Sequence, residues 1–220
     1  MSDWELKAAA RTVAEYMCNI KKGENVLIYA DGLVDDAVSD SIAEAAYTAG
    51  GVVSLLHYET RERADIEPPL PLAEAMSACD VLIELAWMYL IHTRSLQSAL
   101  DAGARFACLT MLTPSIMKRC IGPMDRYAKV LELGDAMTDM LKAASEMKMT
   151  SPAVTELTCN IEDRLIDHAS KRIFGPGELT YPGGQVSCYP SPETIHGTLV
   201  FDGSMWPPED IGLITTPIRL

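Results

Sequence analysis

The chain has 220 residues, 48% apolar and 22% charged, which suits one large or one and a half ordinary globular domains and excludes a disordered polymer. Its 18 Lys and Arg stand against 31 Asp and Glu, a net charge of −13. That balance argues against a protein held on nucleic-acid phosphates or on an anionic membrane.

In chain order, residues 3–19 place Leu6, Ala9, Ala10, Val13 and Met17 at helical spacing, ended by Lys21-Lys22-Gly23. Asn25-Val26-Leu27-Ile28-Tyr29-Ala30 is a short apolar run between turn signals, as a buried strand is. A helix over 35–49 and a strand over 52–58 follow. The pattern repeats as a helix over 71–78, a strand over 80–85, a helix over 93–102 and a strand over 104–109. Strands alternating with helices predict βαβ units, a parallel sheet and helices on both its faces. A long helix is expected over 123–147. Near Thr150 the helical period fades, and 153–161 alternates with period two. The expected fold class is therefore α/β: a Rossmann-like parallel-sheet domain over 1–150, then the start of a β-rich domain over 151–220.

The turn after the first strand, Ala30-Asp31-Gly32-Leu33-Val34-Asp35-Asp36, has no GxGxxG and three carboxylates that would repel a pyrophosphate, so no nucleotide is expected. His92 and Arg94 lie beyond the third strand, beside Trp87 and Tyr89. Loops at the carboxyl ends of parallel strands are where open sheets place ligands, so His92 and Arg94 are candidate substrate contacts. Asp163-Arg164-Leu165-Ile166-Asp167-His168 reads as a solvated charged turn. Glu193 and His196, three apart in a loop rich in Gly and Pro, are candidates to share a metal or a substrate proton. Six cysteines form no CxxC pair, and the start Met1-Ser2-Asp3-Trp4 has no basic n-region. No stretch reaches the roughly 18 uncharged apolar residues of a membrane span. Reduced thiols in a cytoplasmic protein are the expectation.

Thr150-Ser151-Pro152-Ala153-Val154-Thr155-Glu156-Leu157-Thr158, Tyr181-Pro182-Gly183-Gly184-Gln185-Val186 and Pro192-Glu193-Thr194-Ile195-His196-Gly197-Thr198-Leu199-Val200-Phe201-Asp202-Gly203 resemble the M29 metallo-aminopeptidases, the aminopeptidase T type. The wider superfamily includes the 2,5-dihydroxypyridine 5,6-dioxygenases. Gly23-Glu24-Asn25-Val26-Leu27-Ile28 suits the same family's first strand. The resemblance implies a Rossmann-like domain, a β-rich domain carrying a divalent metal (Zn, Co, Mn or Fe), and further ligands in a C-terminal part beyond these residues. In the peptidases a metal-bridging glutamate stands where this chain has Gln185. A bridging ligand needs two anionic oxygens, and an amide offers one neutral carbonyl oxygen.

The first reading is a metal-dependent aminopeptidase-like hydrolase. The second is a mononuclear Fe(II) ring-cleaving dioxygenase acting on hydroxypyridine-like compounds, which needs no bridging carboxylate. The third is a catalytically incomplete member acting as a binding or assembly module, with Met205-Trp206-Pro207-Pro208 as an apolar contact. The expected partners are a small-molecule or peptide substrate and further copies of the chain in a homo-oligomer.

Overall fold

The computed structural model describes residues 3–205 and 212–220, so 206–208 of the apolar run lie outside the described residues. The chain forms two compact units: 1–134 with 169–185, and 135–168 with 186–220. The change of sequence texture at Thr150 coincides with the end of a strand in the second unit.

The first unit is the expected doubly wound sheet. Its elements are α1 (Trp4–Arg11), β1 (Asn25–Asp31), α2 (Asp36–Thr48), β2 (Val52–Tyr58), α3 (Leu70–Ser77), β3 (Val81–Glu84), α4 (Arg94–Asp101), β4 (Arg105–Cys108) and α5 (Pro114–Cys120). A π-helical segment, Thr12–Met17, continues α1. Helix α6 (Met124–Lys142) begins in this unit and ends in the second. Starts are written in the sequence: Asp3, Asp35, Thr93 and Thr113 each accept a hydrogen bond from the first turn of α1, α2, α4 and α5.

All neighbouring pairs in the sheet β2-β1-β3-β4 are parallel. Alternating residues feed two cores. Val26, Ile28, Ala30, Val81, Ile83 and Ala107 pack with α1, α2, α5 and α6 on one face. Leu27, Tyr29, Leu82 and Phe106 pack with Leu72 and Met76 of α3 and Leu96 and Ala99 of α4 on the other. Burial on both faces explains why β1, β3 and β4 read as continuous apolar runs, whereas no residue of the edge strand β2 is buried.

The segment 169–185 also belongs to this sheet. It carries β7's successor, β8 (Leu179–Thr180), after β5 (Glu146–Thr150), β6 (Glu156–Asn160) and β7 (Ile166–His168) of the second unit. Strand β8 lies parallel to β4, with Phe106 opposite Leu179 and Ala107 opposite Thr180. The segment is anchored by buried Ile173, whose amide donates to Met17 O at 2.9 Å. Arg172 Nε donates to Tyr16 O at 3.0 Å while its guanidinium lies 4.2 Å over the Tyr16 ring. Gly183 is required by a close approach: a Cβ there would meet Tyr127 Cε2 at 2.9 Å.

The second unit is antiparallel and shallow. Strand β6 sits between β5 and β10 (His196–Thr198), and β7 pairs with β9 (Val186–Cys188). Two further ladders join β11 (Val200–Phe201) to β14 (Ile218–Arg219) and β12 (Ser204–Met205) to β13 (Gly212–Leu213). Cys159, Ile161, Ile166 and Val200 are its buried apolar side chains among the described residues. Gly197 has φ +124°, and a Cβ there would lie 1.9 Å from Glu156 O, so only glycine lets β10 pair with β6. Among the described residues no helix is long and apolar enough to cross a membrane.

Candidate functional site

The strand order β2-β1-β3 reverses the direction of winding between β1 and β3. The crevice outside the carboxyl ends of such a pair is where open α/β sheets bind ligands. At those ends lies the segment 85–95, a loop that runs into the first turn of α4 and contains Trp87, Tyr89, His92 and Arg94.

Four carboxylates hold this loop by its backbone amides. Asp31, 1% exposed at the end of β1, has Oδ2 accepting from Trp87 N at 3.2 Å and Met88 N at 3.3 Å. Its Oδ1 accepts from Leu33 N at 3.1 Å. Glu84, fully buried at the end of β3, accepts from Leu90 N at 2.7 Å through Oε1. Asp65 accepts from His92 N at 2.9 Å. Glu67 accepts from Arg94 N at 2.7 Å and from Ser95 N and Oγ. Glu67 sits at the positive end of α4, and the Arg94 amide and the Ser95 hydroxyl hold its carboxyl below the ordinary range. Anchoring through the backbone leaves the His92 and Arg94 side chains exposed, on either side of the buried cap residue Thr93.

Glu84 is the least ordinary of the four. The Tyr29 hydroxyl donates to its Oε1 at 3.2 Å, and Cys108 Sγ faces its Oε2 at 3.4 Å. Burial pushes its carboxyl up to about 7, opposed by the bonds from Leu90 N, Cys108 and Tyr29, while the Asp65 charge adds to the rise. Burial also lifts the Cys108 thiol to about 12 and raises Tyr29 and Tyr58. The Tyr58 hydroxyl, at the end of β2, is buried with no hydrogen-bond partner among the described residues.

The remaining candidates lie elsewhere. Gln185 is exposed; its amide donates to Ser170 Oγ at 3.0 Å and its carbonyl accepts from Ala169 N at 3.0 Å, so its backbone is fixed within the 169–185 segment. Glu193 is exposed, and bonds from its own amide and the Ser191 side chain lower its carboxyl. His196 is exposed on the edge strand β10 and lines an open groove of about 370 Å³ with Val154, Glu156, Thr158, Gly197 and Thr198. The turn expected at 163–168 is instead partly strand β7, and the His168 side chain is only 9% exposed, with Nδ1 2.8 Å from Asp135 Oδ1. Its Nε2 is also buried, with no hydrogen-bond partner among the described residues.

Among the described residues, no group of three or more His, Cys, Asp or Glu side chains is arranged to hold a metal ion. The donor set present therefore does not fit the metal that the resemblance implies. Such an ion would need donors beyond those described.

A family model described as NicX, 2,5-dihydroxypyridine 5,6-dioxygenase, matches residues 6–210. The chain belongs to this family. No curated protein matches it. The solved structure of 2,5-dihydroxypyridine dioxygenase from Pseudomonas putida KT2440 has a TM-score of 0.72 at 18% identity, covering 100% of this chain and 65% of that one. Wild-type AmpT from Thermus thermophilus gives 0.57 at 16% identity, covering 92% of this chain and 65% of that one. At these identities the structures show a common fold. The family match bears out the dioxygenase side of the resemblance drawn from the sequence, AmpT shares the fold, and the chain corresponds to 65% of the length of each structure.

The sequence marked His92 and Arg94 by position after a strand. It missed Asp31 and Glu84 as the groups that seat their loop. The available signal was one carboxylate at the end of each of two otherwise apolar strands.

Proposed function

We propose that the chain forms the α/β part of a ring-cleaving dioxygenase acting on a hydroxylated pyridine or a related small aromatic diol. The observation that carries this reading is the family match over 6–210, which includes the switch-point loop and the 181–203 segment. In this reading the ring lies against the aromatic faces of Trp87 and Tyr89. Arg94 and His92 hydrogen-bond its oxygens, since a guanidinium pairs well with an anionic ring oxygen. Members of this superfamily use a divalent metal, whose donors would come from outside the described set. Six free cysteines support a reducing, cytoplasmic setting, and a homo-oligomer is part of the proposal.

The test has two arms. Equilibrium binding of 2,5-dihydroxypyridine is followed by its absorbance, and oxygen uptake is measured with Fe(II). We expect binding that weakens roughly tenfold or more in Arg94→Gln. No binding of the diol by the wild-type chain, or equal binding by Arg94→Gln, overturns the placement. The second reading, an aminopeptidase-like hydrolase, is supported by the fold shared with AmpT. Release of amino acids from small peptides without oxygen uptake would select it.

A further inference from the structure

We propose that Glu84 is the positioning residue for the 85–95 loop, and that the charge on its carboxyl decides how firmly the loop is seated. The geometry carries this. One oxygen, Oε1, receives both the Leu90 amide, from the middle of the loop, and the Tyr29 hydroxyl, from β1. Among the described residues the other oxygen receives only Cys108 Sγ. Among the described residues Glu84 makes no ion pair. A buried carboxylate without a cation is costly, and the cost is relieved if the loop lifts and water reaches the group.

The groups facing Glu84 reinforce the effect. Tyr29 from β1, Tyr58 from β2, Cys108 from β4 and Asp65 from the segment before α3 surround it, with Asp31 and Arg61 acting on the same Tyr58. Asp65 is anionic and opposes ionisation of Glu84. Tyr29, Tyr58 and Cys108, all pushed up, stay neutral through the physiological range. No facing group therefore supplies a compensating positive charge at close range, and Arg61 enters only through Tyr58.

The sign follows from linkage. With the loop seated, the carboxyl titrates at about 7; lifted into water it returns toward its ordinary 4.5. Protons thus favour the seated loop. Its seating is firmest on the acid side and weakens as pH rises from about 4.5 through about 7, by a factor on the order of a hundred. Since the same loop presents His92 and Arg94, this makes ligand access pH-dependent, a consequence that rests on the function proposed above.

The test reads the loop alone, without substrate or metal, so its failure is separable from failure of that function. The Leu90 amide protection factor, which removes the chemical pH dependence of exchange, is measured from about pH 5 to about pH 9. In parallel, quenching of Trp87 is followed in a chain carrying Trp4→Phe and Trp206→Phe. Protection is expected to fall and quenching to rise across that range. Glu84→Gln keeps a neutral acceptor for Leu90 N and is expected to be flat and protected throughout. A flat wild-type profile, or the wild-type profile reproduced in Glu84→Gln, overturns the proposal.

Discussion

In the parallel-sheet unit, every residue of β1, β3 and β4 except Asn25 is buried; in the antiparallel unit, no residue of β5 is. The first unit packs two cores against opposite faces of one sheet, while the second buries a few apolar side chains beneath short ladders. Burial on both faces fixes strand ends precisely, and a loop hung from those ends inherits their precision. The Asp31 and Glu84 clasps are possible because they stand on the deeply packed strands. The groove at His196 rests on a three-residue edge strand and an approach only glycine allows.

The sharpest way to break this contrast is a pair of truncations. Phe106→Ala, at a fully buried position, should cost about 4 kcal/mol in denaturant unfolding, against about 1 kcal/mol for Val200→Ala in the second unit. Equal losses would mean that the two units are packed alike.

The pH dependence of stability comes next. Glu84 binds its proton more tightly when folded, so its stabilising contribution is complete below about 4.5 and lost as pH rises through about 7. Over that window the wild type should lose on the order of 3 kcal/mol relative to Glu84→Gln. Parallel pH profiles for the two proteins would show that the buried carboxyl does not titrate there.

Gly197→Ala should cost ~2 kcal/mol, confined to the second unit, because the methyl group pushes β10 off β6. Limited proteolysis is expected to open 186–205 and leave β1 to β4 resistant. Cleavage of both units together would make them one cooperative body. The smallest effect belongs to the exposed Lys148–Glu156 pair, 2.8 Å apart with both side chains more than half exposed. Lys148→Ala should leave the unfolding midpoint unchanged within error.

The parallel sheet was legible because Asn25-Val26-Leu27-Ile28-Tyr29-Ala30 and its counterparts are apolar runs bounded by turn residues, separated by segments with helical period. Three features were not. Leu179–Thr180 is a strand of two residues amid Gly and Pro, too short for any period to register. The helix expected over 123–147 stops at Lys142, and Glu146–Thr150 pairs with β6, so tertiary pairing outweighs a sequence that suits a helix. Helix α5 begins at Thr113-Pro114, a start signal that a reading based on apolar period passes over. At the site, chain position gave His92 and Arg94. The roles of Asp31 and Glu84 depend on which amides of the 85–95 segment approach them, from 6 to 57 residues away in sequence, and no local pattern records that.

The return of 169–185 to the first sheet bears on how this polypeptide can be divided. A fragment ending at residue 134 would lack β8, leaving the outer hydrogen-bonding groups of β4, including the Phe106 amide that donates to Glu178 O, without their mate. A synthetic peptide spanning 169–185 would be the natural complement to such a fragment. The two pieces together form a split scaffold whose reassembly could be scored in trans.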